Sequence, residues 1–297
     1  MNDKRTEILS SLTIGDDGIY GYSFDNKGQE EEIKLRESVA DHKYDNYLAE
    51  ISKHHSVPVM DNEVARFLRE IPSNGSIIDV GGCWGWHWRN IQKIRPDIKV
   101  YIVDFIRNNL IHAKNVLGNS VGKNIFLIHG DATNLVFDDE VFDGYWSVQT
   151  LQHIPNFETA IKEAFRILKN GGAFANYSLN TQWPIKLIYR LFGKGYHESG
   201  NIPGSFYLAR ASATQVEIIG SVFDDNVNKR YSEILFSPEL KMTLAGRNNS
   251  ILGVIDIHLS NNLGLLSGLA RQQSYHVKKH NKANALGRQK APLVPRS

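Results

Sequence analysis

The sequence predicts an α/β protein whose sheet contains parallel strands, and two observations support this. First, an apolar stretch, Ser76–Val80, runs directly into a glycine-rich turn, as a strand buried on both faces does. Second, strand-like and helix-like segments alternate from this stretch almost to the end of the chain. The 297 residues are enough to bury a full core in one enlarged domain.

The turn after this first strand is the predicted ligand site. Gly81 and Gly85 let the backbone bend sharply and approach a ligand, because no Cβ stands in the way. A helix predicted over 86–94 would direct its N–H groups at the same point, where open parallel sheets bind nucleotide-like ligands. A dinucleotide fingerprint would need glycine where the chain has Cys83 and Trp86, which weakens that interpretation. The alternative to a ligand site is that this turn binds nothing.

Ahead of this strand, the sequence predicts two helices. The first covers about residues 33–52, and the second covers Asn62–Ile71 with Asp61 as its N-cap. The second helix has one apolar face, because its apolar residues recur with helical spacing. His54 and His55 lie between the helices and are candidate ligands or bases, although loop histidines without such a role are common.

An acidic residue follows each of the next two predicted strands. The strand over 99–103 ends at Asp104, and the strand Ile125–His129 leads to Asp131. An acid at the tip of the second strand is well placed to accept hydrogen bonds from ribose hydroxyls. Phe105 can flank an adenine ring, and Asp131 can accept a hydrogen bond from its amino group. Either acid alone also suits a helix cap or a loop, so the prediction depends on their order after the glycine turn.

The second half of the chain continues the alternation. A connection over 180–210 interrupts it and is longer than packing requires. The predicted strands are 142–148, 173–179, 227–236 and 274–278, and the predicted helices are 157–168, 211–223, 239–245 and 263–270.

A series of short motifs follows the same order. They are Asp79-x-Gly81-x-x-x-Gly85, Asp104, Gly130-Asp131-Ala132, Phe142-Asp143, Leu151-x-His153-Ile154-Pro155 and Leu168-Lys169-x-Gly171-Gly172. Over about residues 76–180 this series resembles the class I S-adenosylmethionine-dependent methyltransferases, especially their small-molecule branch. The resemblance implies a Rossmann-like fold: a mostly parallel seven-stranded sheet with its last strand antiparallel, helices on both faces, and an N-terminal helical arm. Cys83 replaces a glycine of this family, and Asn170 replaces a proline.

The resemblance also implies the reaction and its residues. A methyl group would pass from S-adenosylmethionine to a small-molecule acceptor, such as an oxygen of a sugar, quinone or other secondary metabolite, leaving S-adenosylhomocysteine. His153 is the predicted general base, because its motif follows the fourth strand beside the expected methyl group, and local packing is its alternative role. The predicted cofactor contacts are Asp79, Gly81, Gly82, Cys83, Gly85, Asp104, Phe105, Asp131, Ala132 and Ser147. The predicted acceptor contacts are His54, His55, Trp183, Tyr196, His197 and Tyr207.

The expected organisation has three parts. Residues 1–75 form an arm or lid, and 76–280 form the methyltransferase domain, with 180–210 as an acceptor-side insertion. Residues 281–297 are expected to be a disordered basic tail. Its last residues, Leu293–Ser297, resemble most of a thrombin cleavage site and contribute no element to the predicted fold.

Composition limits the partners and leaves two alternatives open. A formal charge of +2 gives no whole-chain case for nucleic acid or membrane binding, and the single cysteine excludes a disulfide or a cysteine-cluster metal site within the chain. No apolar run approaches the ~20 residues of a membrane span, and no signal peptide is evident, so we expect a cytoplasmic protein without a metal. Ser147-Val148-Gln149-Thr150 lacks the Asn/Asp-Pro-Pro-aromatic motif of nucleic-acid base methyltransferases. The alternatives are a nicotinamide-dependent oxidoreductase or epimerase, and a non-catalytic cofactor-binding module.

Overall fold

The computed structural model describes residues 8–24, 33–34, 37–38, 40–193, 211–262 and 264–280. Within these ranges one sheet of nine strands forms the centre of the molecule. The strands are β1 (Thr13–Ile14), β2 (Tyr20–Gly21), β3 (Ser76–Val80), β4 (Lys99–Asp104), β5 (Ile125–His129), β6 (Phe142–Val148), β7 (Leu168–Leu179), β8 (Asn228–Ser232) and β9 (Gln272–Lys278).

Seven of these strands form the predicted sheet. They lie in the order β5-β4-β3-β6-β7-β9-β8. The pairs β5–β4, β4–β3, β3–β6 and β6–β7 are parallel, whereas β9 runs antiparallel between β7 and β8. This order confirms the predicted Rossmann-like fold and its antiparallel last strand. Because β3 to β6 are parallel, their carboxyl ends meet at one edge of the sheet.

Helices cover both faces of the sheet, as predicted. The α-helices within residues 41–193 and 211–262 are α1 (Tyr47–His54), α2 (Val57–Glu70), α3 (Ile91–Ile94), α4 (Arg107–Leu117), α5 (Phe157–Ile167), α6 (Trp183–Leu191), α7 (Ala213–Phe223) and α8 (Ile251–Asn262). On one face α2 and α4 pack against Ile77, Ile102 and Trp146. On the other face α5 and α7 pack against Ile78, Tyr145 and Phe174. No helix in the described part of the chain combines the length and the apolar character that a membrane crossing requires.

The second helix begins earlier than predicted. α2 starts at Val57 with Ser56 at its N-cap, because Pro58 suits the first helical turn, where the N–H that proline lacks would have no partner. The prediction of Asp61 as N-cap is therefore wrong. Asp61 lies inside α2 and forms a bidentate ion pair with Arg89, with N–O distances of 2.8 and 2.6 Å.

The first predicted helix is not continuous. Residues 41–46 leave the helical conformation, and α1 begins again at Tyr47. The Asn46 side chain caps the new helix by accepting a hydrogen bond from the Ala49 N–H at 3.1 Å. The sequence pattern did not reveal this break because apolar residues continue on both sides of it.

α8 was not predicted. The helices predicted over 239–245 and 263–270 are instead short 3-10 turns, and the full helix lies between them. Apolar residues such as Ile251, Leu252 and Val254 are exposed along α8, so its periodicity defines no single buried face. The helix is held by Asp256, which is fully buried and accepts a hydrogen bond from the Ile234 N–H at 2.8 Å.

A short N-terminal hairpin extends the sheet beyond β5. β2 pairs in parallel with the end of β5, Tyr20 opposite Ile128 and Gly21 opposite His129, and β1 pairs antiparallel with β2. These two strands were not predicted from the sequence. The hairpin brings the residues after it to the carboxyl edge of the sheet.

Candidate active site

A cavity of about 330 Å³ opens at the carboxyl ends of β3, β4, β5 and β6. Its wall combines backbone from the glycine turn with two carboxylates, two histidines and several apolar side chains. The lining residues are Ile33, His55, Val80, Gly81, Cys83, Trp84, Val103, Asp104, Phe105, Ile106, Asn109, Gly130, Asp131, Ala132, Val148, Gln149, Thr150, His153 and Ile154.

The glycine turn follows β3 and needs left-handed backbone at three positions. Gly81, Cys83 and Gly85 have φ values of +71°, +50° and +65°. Glycine adopts this conformation without strain, whereas Cys83 is an L residue for which it costs about 1–2 kcal/mol. Cys83 thus occupies the position where the family has glycine, and it keeps the backbone shape that glycine would give. The predicted helix over 86–94 is wrong as a single element, because a 3-10 turn over Trp86–Trp88 precedes the four-residue helix α3.

Asp104 ends β4 and connects it to the glycine turn. One carboxylate oxygen accepts a hydrogen bond from the Cys83 N–H at 2.8 Å, and the other accepts one from the Ile106 N–H, also at 2.8 Å. The side chain is buried yet borders the cavity beside Phe105. Since a carboxylate oxygen accepts more than one hydrogen bond, this fixed carboxylate can also bind a ligand's hydroxyl groups.

Asp131 follows β5, and the N-terminal arm holds its backbone. The Tyr22 hydroxyl accepts a hydrogen bond from the Asp131 N–H at 2.9 Å and donates one to the Asp131 carbonyl oxygen at 3.1 Å. The Tyr22 ring packs so closely on Gly130 that a Cβ there would lie 2.5 Å from it. Nearby, Phe24 stacks at 5.3 Å from Phe105. Sequence analysis missed this contribution, although aromatic residues spaced two apart are a strand-like signal.

Asp79 lies behind the glycine turn rather than on the cavity wall. Its carboxylate is 1% exposed and accepts a hydrogen bond from the Trp88 indole N–H at 2.7 Å. Burial, with a further contribution from the negative charge of Asp104, raises the pKa of Asp79 to about 7. The acid of this motif therefore supports the turn from inside the sheet.

The raised pKa predicts a pH-dependent stability. A carboxyl whose pKa rises from 3.8 to about 7 on folding stabilises the fold below pH 4, and this stability is lost as the pH rises through 7. In Asp79→Asn the amide oxygen can still accept the Trp88 hydrogen bond, and the side chain cannot ionise. Between pH 5 and pH 8 the native chain should therefore lose about 2–3 kcal/mol more of its unfolding free energy than this variant does. Urea denaturation at both pH values measures the difference.

Asp97→Asn is the matched control for that comparison. Hydrogen bonds from Arg95 and from the Asn74 N–H lower the pKa of Asp97, so its titration lies in the acid range and leaves the interval from pH 5 to pH 8 unaffected. Parallel stability curves for the native chain and Asp79→Asn would contradict the raised pKa.

Three other predicted cofactor contacts also lie behind the cavity wall. Ser147 is fully buried and donates a hydrogen bond to the Val80 carbonyl oxygen at 2.9 Å. Gly82 packs against Asp79, where an added Cβ would lie 2.5 Å from the carboxylate. Gly85 packs against Leu117 and Ile102 in the same way. These residues shape the floor of the cavity, whereas Gly81, Cys83, Asp104, Phe105, Asp131 and Ala132 line it directly.

His153 borders the cavity at the end of β6, and its neighbour Gln152 orients it. The Gln152 side-chain oxygen accepts a hydrogen bond from the Leu179 N–H at 2.7 Å, which directs the amide nitrogen towards the imidazole. That nitrogen lies 3.3 Å from His153 Nε2. With the Gln152 amide as donor, Nε2 is the acceptor, and a neutral imidazole in this orientation carries its proton on Nδ1.

His55 borders the cavity from the α1–α2 junction. Burial, together with the charges of Arg271 and neighbouring His87, lowers its pKa well below 6.5, so the ring is neutral at pH 7. A buried ion pair fixes this junction, because Glu233 accepts hydrogen bonds from the Ser56 N–H at 2.6 Å and from Arg271 at 2.8 Å.

The other predicted acceptor contacts are not assembled at the cavity. His54 is exposed and does not line it, and Trp183 is 61% exposed on α6. Tyr196, His197 and Tyr207 lie outside the described residues. Sequence analysis also missed several lining residues, among them Trp84, Asn109, Gln149, Thr150 and Ile154. Of these, Gln149 has a φ of +52°, a left-handed conformation that the sequence does not signal.

Fold and cavity together resemble one class of protein. The sheet order, the glycine turn after β3 and the acids after β4 and β5 are those of the Rossmann-like fold of class I methyltransferases. Residues 78–176, about a third of the chain, match the family described as "Methyltransferase domain".

Two curated relatives illustrate the sequence similarity. Malonyl-[acyl-carrier protein] O-methyltransferase of Buchnera aphidicola is 32% identical over 131 residues, which cover 42% of this chain and 49% of that protein. Demethylmenaquinone methyltransferase of Lactococcus lactis is 34% identical over 116 residues, which cover 39% of this chain and 45% of that protein. The chain thus spans about half the length of these curated relatives.

Solved structures show the same fold at low identity. A SAM-dependent methyltransferase of Thermotoga maritima has a TM-score of 0.50 and 16% identity, covering 85% of this chain and 98% of that one. A chain from the complex of the Haloferax volcanii Trm112 methyltransferase activator with a methyltransferase has a TM-score of 0.53 and 14% identity, covering 87% of this chain and 100% of that one.

Proposed function

We propose that this chain is an enzyme that transfers a methyl group from S-adenosylmethionine to an oxygen atom of a small-molecule acceptor. The observation that carries the proposal is the meeting of the glycine turn, Asp104 and Asp131 around one cavity at the carboxyl edge of the sheet. A sugar, a quinone or another secondary metabolite would suit a largely apolar pocket with a few orienting polar groups. The two curated relatives are named for demethylmenaquinone and malonyl-[acyl-carrier protein], and these names support a non-nucleic-acid acceptor.

The residues of the cavity fit the cofactor. Asp104 is held by backbone hydrogen bonds in one orientation, and it would accept hydrogen bonds from the ribose hydroxyls. Phe105 and Ala132 would flank the adenine, and Asp131 would accept a hydrogen bond from its amino group. Gly81 and Cys83 would lie beside the methionine part. Asp79, Gly82, Gly85 and Ser147 would act from behind by fixing the shape of the turn.

The chain has a limited chemical task in this reaction. When bound, S-adenosylmethionine supplies a methyl group on a sulfonium, which is already electrophilic. The protein then needs to orient the acceptor, exclude water and remove the acceptor's proton. His153 would take up this proton at Nε2, where the long 3.3 Å contact with Gln152 is readily exchanged for an acceptor hydroxyl. His55, neutral and at the same cavity, would hydrogen-bond the acceptor.

The segments outside the core strands would complete the acceptor side. We propose that residues 1–75 act as an arm over the cavity and that 180–210 form the acceptor-side insertion of the 76–280 domain. Described parts of both segments support this division. Tyr22 and His55 from the first contact or line the cavity region, and the second begins directly after β7.

Calorimetric titration tests the cofactor. We expect S-adenosylhomocysteine to bind and NAD not to bind. His153→Ala should change the dissociation constant of S-adenosylhomocysteine by no more than about twofold, because its proposed role is towards the acceptor; a shift of twofold is only ~0.4 kcal/mol. Binding of NAD without S-adenosylhomocysteine would favour the oxidoreductase or epimerase alternative. Binding of S-adenosylhomocysteine with no methylated product from any acceptor would favour a non-catalytic module.

A further inference from the structure

The exposed large apolar side chains of the described chain are concentrated in one region. Thirteen of the sixteen fall within 183–192 and 242–269, and the other three are Ile14, Ile94 and Ile111. Several are almost fully exposed, including Leu191 at 76%, Phe192 at 75% and Leu265 at 93%. The thirteen are Trp183, Leu187, Ile188, Leu191, Phe192, Met242, Leu244, Ile251, Leu252, Val254, Ile255, Leu265 and Leu269. We call the surface that they form the α6–α8 face.

Contacts across the chain show that this face is continuous. Trp183 at the start of α6 packs on Gly268, and the Gln182 side chain donates a hydrogen bond to the Leu269 carbonyl oxygen at 2.7 Å. Farther along α6, the Tyr189 hydroxyl donates to the Glu239 carbonyl oxygen at 3.0 Å. α8 packs on the 3-10 turn Leu244–Gly246. The three segments therefore lie side by side.

The charges among these residues are basic. Residues 181–193 contain Lys186 and Arg190 and no acid, and both side chains are exposed. Residues 240–270 contain the exposed Lys241 and Arg247, and their single acid, Asp256, is fully buried. Glu239, just before this range, lies 3.9 Å from Arg271. The excess of exposed basic over exposed acidic side chains on this face contrasts with the whole chain, whose formal charge is only +2.

We propose that the α6–α8 face docks onto the surface of an anionic phospholipid bilayer. A helix with exposed tryptophan, phenylalanine and leucine beside lysine and arginine is typical of segments that lie in the membrane interface. The basic side chains complement anionic head groups, and the apolar side chains enter the boundary of the acyl chains. A purely apolar protein surface would leave the basic side chains unused, whereas an anionic bilayer engages both the apolar and the basic ones.

The docked orientation places the cavity near the bilayer. α6 begins four residues after Leu179, whose N–H is bonded to Gln152, the neighbour of His153. If the proposed methyl transfer is correct, the acceptor would then be an amphipathic or lipid-linked molecule taken from the membrane. Docking itself does not depend on methyl transfer, so the two proposals can fail separately.

Tryptophan fluorescence provides the first test. Trp183 is 61% exposed, whereas Trp86, Trp88 and Trp146 are at most 5% exposed and Trp84 is half-buried. Vesicles of phosphatidylcholine with roughly one third phosphatidylglycerol, an anionic lipid, should shift the emission of the full chain to the blue. The shift should be absent in Trp183→Phe and much smaller with phosphatidylcholine alone.

Co-sedimentation with the same vesicles tests the apolar and basic parts separately. Leu191→Glu/Phe192→Glu should abolish binding, and Lys186→Glu/Arg190→Glu should weaken it by at least roughly tenfold, since each basic residue near the surface contributes about fivefold. The matched controls are Ile94→Glu/Ile111→Glu and Lys93→Glu, which change exposed residues elsewhere and should bind normally. Circular dichroism confirms that each variant folds.

Two results would overturn the proposal. The first is that the native chain binds neither vesicle, which would mean that something other than a bilayer covers the face. The second is a dimer at sedimentation equilibrium that Leu191→Glu/Phe192→Glu dissociates, which would make the face an interface between copies. A different result would separate the two proposals. If the native chain binds vesicles, and Leu191→Glu/Phe192→Glu does not bind them but keeps its full methyl transfer, docking is supported and the acceptor is not drawn from the membrane.

Discussion

Asp104→Ala is expected to weaken binding of S-adenosylhomocysteine by roughly ten- to hundredfold, because hydrogen bonds to a charged group contribute about 1.5–3 kcal/mol. The sequence alone suggested that the fold would be unaffected, since the residue lies at a strand tip. The structure adds a cost: the variant leaves the Cys83 and Ile106 N–H groups without their acceptor, at about 1–3 kcal/mol for each buried donor. Calorimetric titration measures the affinity, and urea denaturation measures the stability.

Asp97→Ala separates these two effects. Asp97 also accepts a backbone hydrogen bond, from the Asn74 N–H at 2.9 Å, but it lies just before β4, at the opposite end of the strand from the cavity. This control should lose stability and keep its affinity for S-adenosylhomocysteine. The proposed ribose contact is wrong if Asp104→Ala, measured at a temperature where it remains folded, binds as tightly as the native chain.

Gly81→Ala should be the most damaging single substitution in the turn. An added Cβ would lie 2.1 Å from both the Cγ2 and Oγ1 atoms of Thr150, at a φ of +71°. The turn cannot shift easily, because the Gly81 N–H donates to the Val103 carbonyl oxygen at 2.7 Å. We expect the free energy of unfolding to fall by about 3 kcal/mol or more, because left-handed strain and overpacking add together. Displacement of Thr150, which borders the cavity, should also weaken cofactor binding.

Gly171→Ala isolates the conformational part of this cost. Its φ is +82°, and nothing lies within 4 Å of an added Cβ. It should therefore lose only about 1–2 kcal/mol in urea denaturation and keep full affinity for the cofactor. If Gly81→Ala and Gly171→Ala lose equal amounts of unfolding free energy, the Thr150 side chain moves aside at little cost and the turn is not closely packed.

The strands and the acids at their ends were predictable because their signals are local. A buried parallel strand is a continuous apolar run; Asp104 ends one such run, and Asp131 comes two residues after the end of β5. Parallel pairing then brings the ends of separate strands to one edge. The order of the motifs was therefore enough to predict which side chains surround the cavity on its cofactor side.

The remaining features depend on contacts between residues far apart in the sequence. Tyr22 reaches Asp131 across 109 positions, and Glu233 reaches Ser56 across 177. Neither contact produces a periodic pattern in the sequence. A tyrosine or a glutamate at these positions also does not indicate a distant partner. The early start of α2 has one distant cause and one local cause. Glu233 accepts a hydrogen bond from the Ser56 N–H, and Pro58 occupies the first helical turn, so the helix begins at Val57 and not after Asp61.

The N-terminal hairpin has a further consequence for handling this protein. At one margin of the sheet, β2 covers the outer backbone groups of Ile128 and His129, and at the other margin β8 carries exposed Asn228 and Lys229. A charged margin discourages pairing with another molecule, whereas the apolar β5 has no such protection of its own. A shortened chain that begins after Tyr22 would thus expose the outer backbone groups of Ile128 and His129 to other molecules, and we expect it to aggregate more than the full-length chain. Light scattering of the shortened and full-length chains would show whether the first residues protect the protein from aggregation.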